Sequence, residues 1–206
     1  MSADQFINAL AMLFVTIDPI GMVPIFLALT AGASFAERSK IAMTACLTAG
    51  IVLGGFLLAG NELLASLGIS LPAFRIAGGL LLFIIAVEMV FEKRTQRKAT
   101  TAEMAHDEGH NVAVFPLAVP LIAGPGTISA LLLLTGQHPG VVAKLELAGA
   151  AALILVMTLA AFLASGPIDR IMGATGRLVV TRLLGILLAA LSVQFVAEGI
   201  LVFAGR

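Results

Sequence analysis

Six stretches of this 206-residue chain are apolar and long enough to cross a bilayer as helices, and that leaves few folds open to it. They cover residues 6–29, 41–64, 71–91, 112–134, 147–168 and 178–203. A hydrocarbon core about 30 Å thick takes roughly 20 apolar residues of helix to cross. Inside that core every backbone N–H and C=O must be satisfied within the protein, so a spanning chain is helical or a closed barrel. With 60% hydrophobic and 12% charged residues and a mean hydropathy of +1.08, the chain has more apolar surface than a soluble domain of this size buries. The expectation is an all-α membrane protein with six transmembrane helices in a single domain, residues 1–206, its first partner being the lipid bilayer.

Alternate connections carry the basic side chains. Arg38 and Lys40 follow the first stretch, Lys93, Arg94, Arg97 and Lys98 the third, and Arg170 and Arg177 the fifth. By the positive-inside rule these connections are cytoplasmic and both termini face outward. The opening MSADQFINAL has no basic region and no cleavage site, so the first stretch is read as a retained span. Twelve basic and twelve acidic residues give zero formal net charge, which points away from nucleic acid and toward a small ligand. Cys46, the single cysteine, excludes an internal disulfide and is read as packing.

The longest polar run, EKRTQRKATTAEMAHDEGHN at residues 92–111, mixes both charge signs without hydrophobic periodicity and reads as a solvated loop. His106 and His110, with Asp107 and Glu108 beside them, have a spacing that suits a metal on a helix. No cysteine or clear third ligand joins them, so no metal site is expected. The loop divides the chain in two. At an offset of about 106 residues Pro19 matches Pro125, Phe56-Leu57 matches Phe162-Leu163 and Gly60 matches Gly166; one more residue of slip matches RIAG at Arg75 with RLLG at Arg182. The expected plan is two three-helix repeats, about 1–95 and 112–206. An odd number of spans makes them inverted, as in many secondary transporters.

Helices 1 and 4 are expected to be broken. In TIDPIGMVPIF, Asp18 is the one charge deep in a span, at an insertion cost on the order of 2.5–3.5 kcal/mol. Asp18-Pro19 reads as the N-cap and first position of a helix restarting in the membrane, with Gly21 and Pro24 loosening the backbone. The counterpart FPLAVPLIAGPGTIS holds Pro116, Pro120, Gly124, Pro125 and Gly126 without a charge. Gly124-Pro125 is again an N-cap pair, here with no capping side chain, so the N–H groups from Gly126 onward, with Thr127 and Ser129 hydroxyls nearby, suit an anion. Two readings stay open: a midplane zwitterion site, with carboxylate at Gly124–Thr127 and ammonium toward Asp18, or an Asp18 that caps its own half-helix.

Other polar residues say less. Arg75 and Arg182 read as interfacial anchors, with anion binding or pairing to Glu62 and Asp169 as the alternative, and Glu88, Gln194 and Glu198 read the same way. Gly50 and Gly54, Gly78-Gly79 and residues 148–152 offer small surfaces for close helix packing, compatible with a homo-oligomer or with tight packing in one chain.

DPIGMVPIFLAL in the first span, RIAGGLLLFIIAVEM in the third and PLAVPLIAGPGTIS in the fourth resemble the MarC family of bacterial inner-membrane proteins, and the resemblance runs through the whole chain. It implies a six-helix protein of the bacterial inner membrane, related to small neutral amino-acid transporters and similar to the wider group of LysE-type exporters. Its pattern maps onto Asp18, Pro19, Gly21 and Pro24, and onto Gly124, Pro125 and Thr127. The family name reflects an association with antibiotic resistance, but a drug-sized cavity is hard to enclose with 206 residues.

The expectation is therefore a secondary transporter of small neutral amino acids, exporting or exchanging them, with Asp18 a candidate for proton or sodium coupling. No P-loop is present, so the energy source is a gradient, and no cofactor is called for. An intramembrane enzyme needs a second deep aspartate, a serine and histidine within spans, or H-E-x-x-H; with none of these the chain is not read as an enzyme. The alternatives are efflux of another small solute and a non-transporting scaffold or regulator, which predicts a filled midplane beside Asp18.

Overall fold

A computed structural model describes residues 1–94, 97, 100, 111–137 and 140–205 of the chain; His106, Asp107, Glu108 and His110 lie outside them. The described residues are helical, with no strand among them. Helix α1 is Ala3–Ile17, α2 Val23–Leu29, α3 Phe35–Ser66 and α4 Leu71–Val90. After an irregular coiled segment, Ala113–Ile122, come α5 (Pro125–Gln137), α6 (Val141–Leu163) and α7 (Ser165–Ala204).

Local chemistry sets the helix starts. Reciprocal capping boxes open α1 (Ser2 with Gln5) and α3 (Ser34 with Glu37), and Ser70 caps α4 with Pro72 in its first turn. The α3 box explains why that helix begins six residues before the apolar stretch: its first turns are polar but well capped. The short piece that opens α7 turns into the long one at Gly173, whose φ of 57° and ψ of −177° lie in a region essentially restricted to glycine.

Among the described residues four helices are long and apolar enough to span a membrane: α3, α4, α6 and the Thr175–Ala204 part of α7. Ala113–Ile122 and α5 form a fifth candidate as a pair bent by 52°. The first expected span is broken into two pieces, as its sequence predicts. Fifteen residues of α1 rise about 22 Å and seven of α2 about 10 Å, each short of the hydrocarbon thickness.

The interior is built around α5, whose residues Gly126, Thr127 and 129–135 are all buried. It packs between α3 and α4, while α1 lies against α5, α6 and α7. Outward faces of the long helices carry Ile51, Leu58, Val156 and Leu187 in the open, as lipid contact requires. Phe26 of α2 stacks on Phe162 of α6 with centroids 4.4 Å apart, fastening the short helix to a long one.

Helices α4 and α7 run antiparallel and form the most extensive pair. A Cβ on Gly79 would lie 3.0 Å from the Ser192 carbonyl oxygen, one on Gly185 2.9 Å from Met89 Cβ, and one on Gly199 3.1 Å from the Pro72 carbonyl oxygen. These glycines let the two backbones approach, which is how helices gain dispersion energy where lipid removes the hydrophobic drive. The Gly50/Gly54 pair does not act this way: Gly54 faces open space and Gly50 meets only a methyl of Leu155.

Candidate functional site

The first break starts where Asp18 leaves the helix. Its backbone is left-handed (φ 60°, ψ 63°), a conformation aspartate tolerates better than most residues, and its N–H closes the last turn of α1 on the Phe14 carbonyl at 2.8 Å. The carboxylate Oδ1 accepts from the Gly21 N–H at 3.0 Å. Asp18 is therefore the C-cap of α1 rather than the N-cap of the restart. The restart is at Val23, with Pro24 instead of Pro19 in its first turn. Either role suits an aspartate beside a proline, because its short side chain reaches backbone N–H groups on either side of a break.

Gly21 is required by close approach: a Cβ there would lie 2.2 Å from Asp18 Oδ2. Gly21→Ala is expected to push the carboxylate off its backbone donor and to destabilise the protein by about 1–3 kcal/mol, read as a lower unfolding midpoint. An unchanged midpoint would show the turn to be adaptable.

A buried cation, Arg94, lies within electrostatic reach of the Asp18 carboxylate. Only 5% exposed, Arg94 donates from Nη1 to the Val15 carbonyl at 3.3 Å and from Nη2 to the Thr16 carbonyl; Nη1 also contacts Met89 Sδ at 2.9 Å. Burial weighs against the guanidinium's charge and lowers its pKa from the usual arginine range, while the charge of Asp18 works the other way. One guanidinium thus satisfies the open carbonyls at the end of α1, neutralises the negative end of its dipole and offsets Asp18. This corrects the solvated-loop reading of residues 92–111 at its start: Glu92 turns the chain with φ 64°, and Arg94 folds back into the protein.

The second break is made by prolines. Phe115 and Val119 precede Pro116 and Pro120 and have extended backbones (φ −129° for both, ψ 121° and 124°), the region to which a following proline confines a residue. Both X-Pro bonds are cis. Helix α5 then starts with Gly124 as N-cap and Pro125 at the first position, as expected from the sequence, and the Ile128 N–H bonds to the Gly124 carbonyl at 2.9 Å. A Cβ on Gly124 would lie 2.3 Å from the Pro120 carbonyl oxygen. Thr127 is 2% exposed and donates its hydroxyl to the Ile122 carbonyl at 2.9 Å, tying the new helix to the end of the irregular segment.

Gly124, Pro125, Gly126 and Thr127 line a cavity of about 410 Å³ that is also walled by Thr16, Arg94 and Arg97 and by apolar side chains of α4. A positive helix end and two guanidinium groups face the same space, and no carboxylate is among its lining residues that the structure describes. Arg97 is bonded to Glu88 at 3.0 Å and is largely exposed. The arrangement suits an anionic group of a small solute.

Of the other residues singled out from the sequence, Asp18, Pro19, Gly21, Pro24 and Ser129 do not line this cavity. Asp18 adjoins it through Arg94 and Thr16, the residue two before it; Pro19 and Gly21 are buried in the turn, Pro24 is half-buried and Ser129 is buried in α5. Arg182 pairs with Glu92 at 3.1 Å, whereas Asp169 is taken by Arg177 and Glu62 lies 3.9 Å from Lys144. Arg75 and Gln194 come together in a second cavity at the far end of α5. Arg94 is the residue that motif reading missed; the signal available was the deep Asp18, whose burial needs a cation from somewhere in the chain.

Comparison with known proteins gives the same picture along nearly the whole length. Residues 3–203 match the MarC family integral membrane protein description. A UPF0056 membrane protein of Archaeoglobus fulgidus is 39% identical over 197 residues, covering 95% of this chain and 92% of the relative. One from Aquifex aeolicus is 37% identical over 196 residues, covering 95% and 92%, and YhcE of Escherichia coli K12 is 34% identical over 189 residues, covering 91% and 88%. No solved structure gives a significant match. Matched from end to end by such relatives and built of apolar helices around two breaks, the chain belongs to the MarC family of integral membrane proteins.

Proposed function

We propose that this protein is a secondary transporter of small solutes bearing a carboxylate, with small neutral amino acids as the substrate class, and that no catalytic step is involved. The observation that carries the reading is the meeting of the α5 N-terminus, Arg94 and Arg97 on one cavity of about 410 Å³. A scaffold would have this region filled. The substrate's carboxylate binds at Gly124–Thr127 and its ammonium is met by neutral oxygens, while Asp18 holds Arg94 in position and is the group through which a proton or sodium ion would couple.

Two further features support a transporter. Each half of the chain runs through a short helical piece, a break, a second short helix and two long helices, the order of an inverted repeat with six membrane segments. Arg94, Arg97, Arg177 and Arg182 gather at the end where α4 finishes, Arg182 reaching Glu92 there, so the positive-inside rule makes that end cytoplasmic in a bacterial inner membrane and leaves both termini periplasmic.

The test is counterflow of radiolabelled alanine and glycine in proteoliposomes. Wild type is expected to exchange them. Arg97→Gln, at an exposed pair that adds little to folding, is expected to raise the half-saturation concentration about three- to tenfold. Absence of exchange with both amino acids would overturn the substrate class. The two arginines of the wall favour small organic anions as the second reading, and their uptake in the same vesicles would support it.

A further inference from the structure

The second cavity, about 370 Å³, is lined by Arg75, Gln137, Gln194 and Glu198 together with Gln5 and Asn8 of α1. It differs in chemistry from the first, because its described lining residues include both a cation, Arg75, and an anion, Glu198. Arg75 donates weakly from Nη2 to the Gly136 carbonyl at 3.5 Å, and its buried Nε has no hydrogen-bond partner among the described residues. Glu198 accepts from Gln137 at 3.2 Å and from Gln194 at 2.9 Å. A carboxylate has about four acceptor positions, so capacity remains for an ammonium. An unmatched guanidinium N–H and an under-used carboxylate in one cavity complement a zwitterion.

The two cavities are joined by the same pair of helices. On α1, Gln5, Asn8 and Met12 face the second cavity and Thr16 the first; spaced by three or four residues, they form one stripe. On α5, Thr127 lines the first cavity and Leu134 and Gln137 the second, with Leu131 on the same stripe between them. Met12 is 1% exposed and Leu131 0%. The rise from Met12 to Thr16 is about 6 Å and from Thr127 to Leu134 about 10 Å. What separates the cavities is therefore one or two layers of side chains, thin beside a core of about 30 Å.

We infer that the two cavities are opposite vestibules of one path for a small zwitterion, running between the α1 and α5 stripes and closed in this conformation by Met12 and Leu131. Arg75 and Glu198 receive the solute on the side of the chain termini, and the α5 N-terminus with Arg94 receives it on the other. The apolar pair between them is a gate of the dewetting type, and the flexible thioether of Met12 suits a side chain that must swing aside. This rests on the transport reading above and adds to it the second site, the route and the gate.

Thiol accessibility tests the route without a substrate. In a Cys46→Ala background, Asn8→Cys in oriented vesicles is expected to react with a membrane-impermeant maleimide from the terminal side only. Adding Met12→Ala and Leu131→Ala is expected to let the reagent reach it from both sides. Labelling of Asn8→Cys from both sides without the gate substitutions, or from one side only in a folded gate variant, overturns the route. Should the double variant not fold, Leu131→Ala alone is the variant read. In exchange assays Glu198→Gln is expected to raise half-saturation for alanine about tenfold from the terminal side and to leave it unchanged from the other; equal effects on both sides overturn the second site. If alanine and glycine do not exchange at all, the substrate class fails while the labelling still decides the route.

Discussion

Gly124→Leu is expected to abolish exchange and to lower the unfolding temperature in detergent by several degrees. The cause is local and has no cheap escape: a Cβ at this position would sit 2.3 Å from the carbonyl oxygen of Pro120, which is backbone and cannot rotate away. Relief requires changing the 52° bend between Ala113–Ile122 and α5, and that bend aims the α5 N-terminus into the cavity. Overpacking of a buried position costs about 1–3 kcal/mol even where side chains can shift. Gly126→Ala is the milder comparison, because its Cβ would meet Cδ1 of Ile85, the far end of a flexible side chain. A Gly124→Leu protein that melts and exchanges as wild type does would remove the second break from the mechanism.

Arg94→Met is expected to carry the largest loss of stability in the chain, about 1–3 kcal/mol for each buried carbonyl left without its donor. Three things change together: the Val15 and Thr16 carbonyls lose their donor, the end of α1 loses its counter-charge, and the Asp18 carboxylate loses a nearby positive charge. Arg94→Lys keeps the charge but loses the forked geometry that serves two carbonyls at once, so a partial loss is expected. The decisive comparison is a double-mutant cycle with Asp18→Asn, read as denaturant midpoints. Arg94→Met is expected to cost less in the Asp18→Asn background, by about 0.5–3 kcal/mol. Additive effects would mean that Arg94 acts on the α1 carbonyls alone.

Much of this architecture is legible along the chain because its causes are local. A membrane span depends on the length and polarity of one segment, so α4 and the long part of α7 fall within a few residues of their apolar stretches. The breaks are equally local: a proline removes its own N–H and restricts the residue before it wherever it lies, and Gly124-Pro125 starts a helix as its neighbours dictate. Asp18-Pro19 marks a boundary for the same reason. Which side of the boundary Asp18 caps is decided by its left-handed backbone and the turn that its carboxylate closes on the Gly21 N–H.

The partnerships needed tertiary structure. Nothing in EKRTQRKA distinguishes Arg94 from the basic residues around it; its burial arises because the end of α4 meets the end of α1, 78 residues away in sequence at Thr16. Likewise Arg75 and Glu198 share a cavity only because α4 and α7 run antiparallel on their glycines. Composition and spacing along one chain determined where helices form and fail. Which charges face each other across a break depends on the packing of segments far apart in sequence, because in a low-dielectric interior a charge is stabilised by whatever lies within a few ångströms of it.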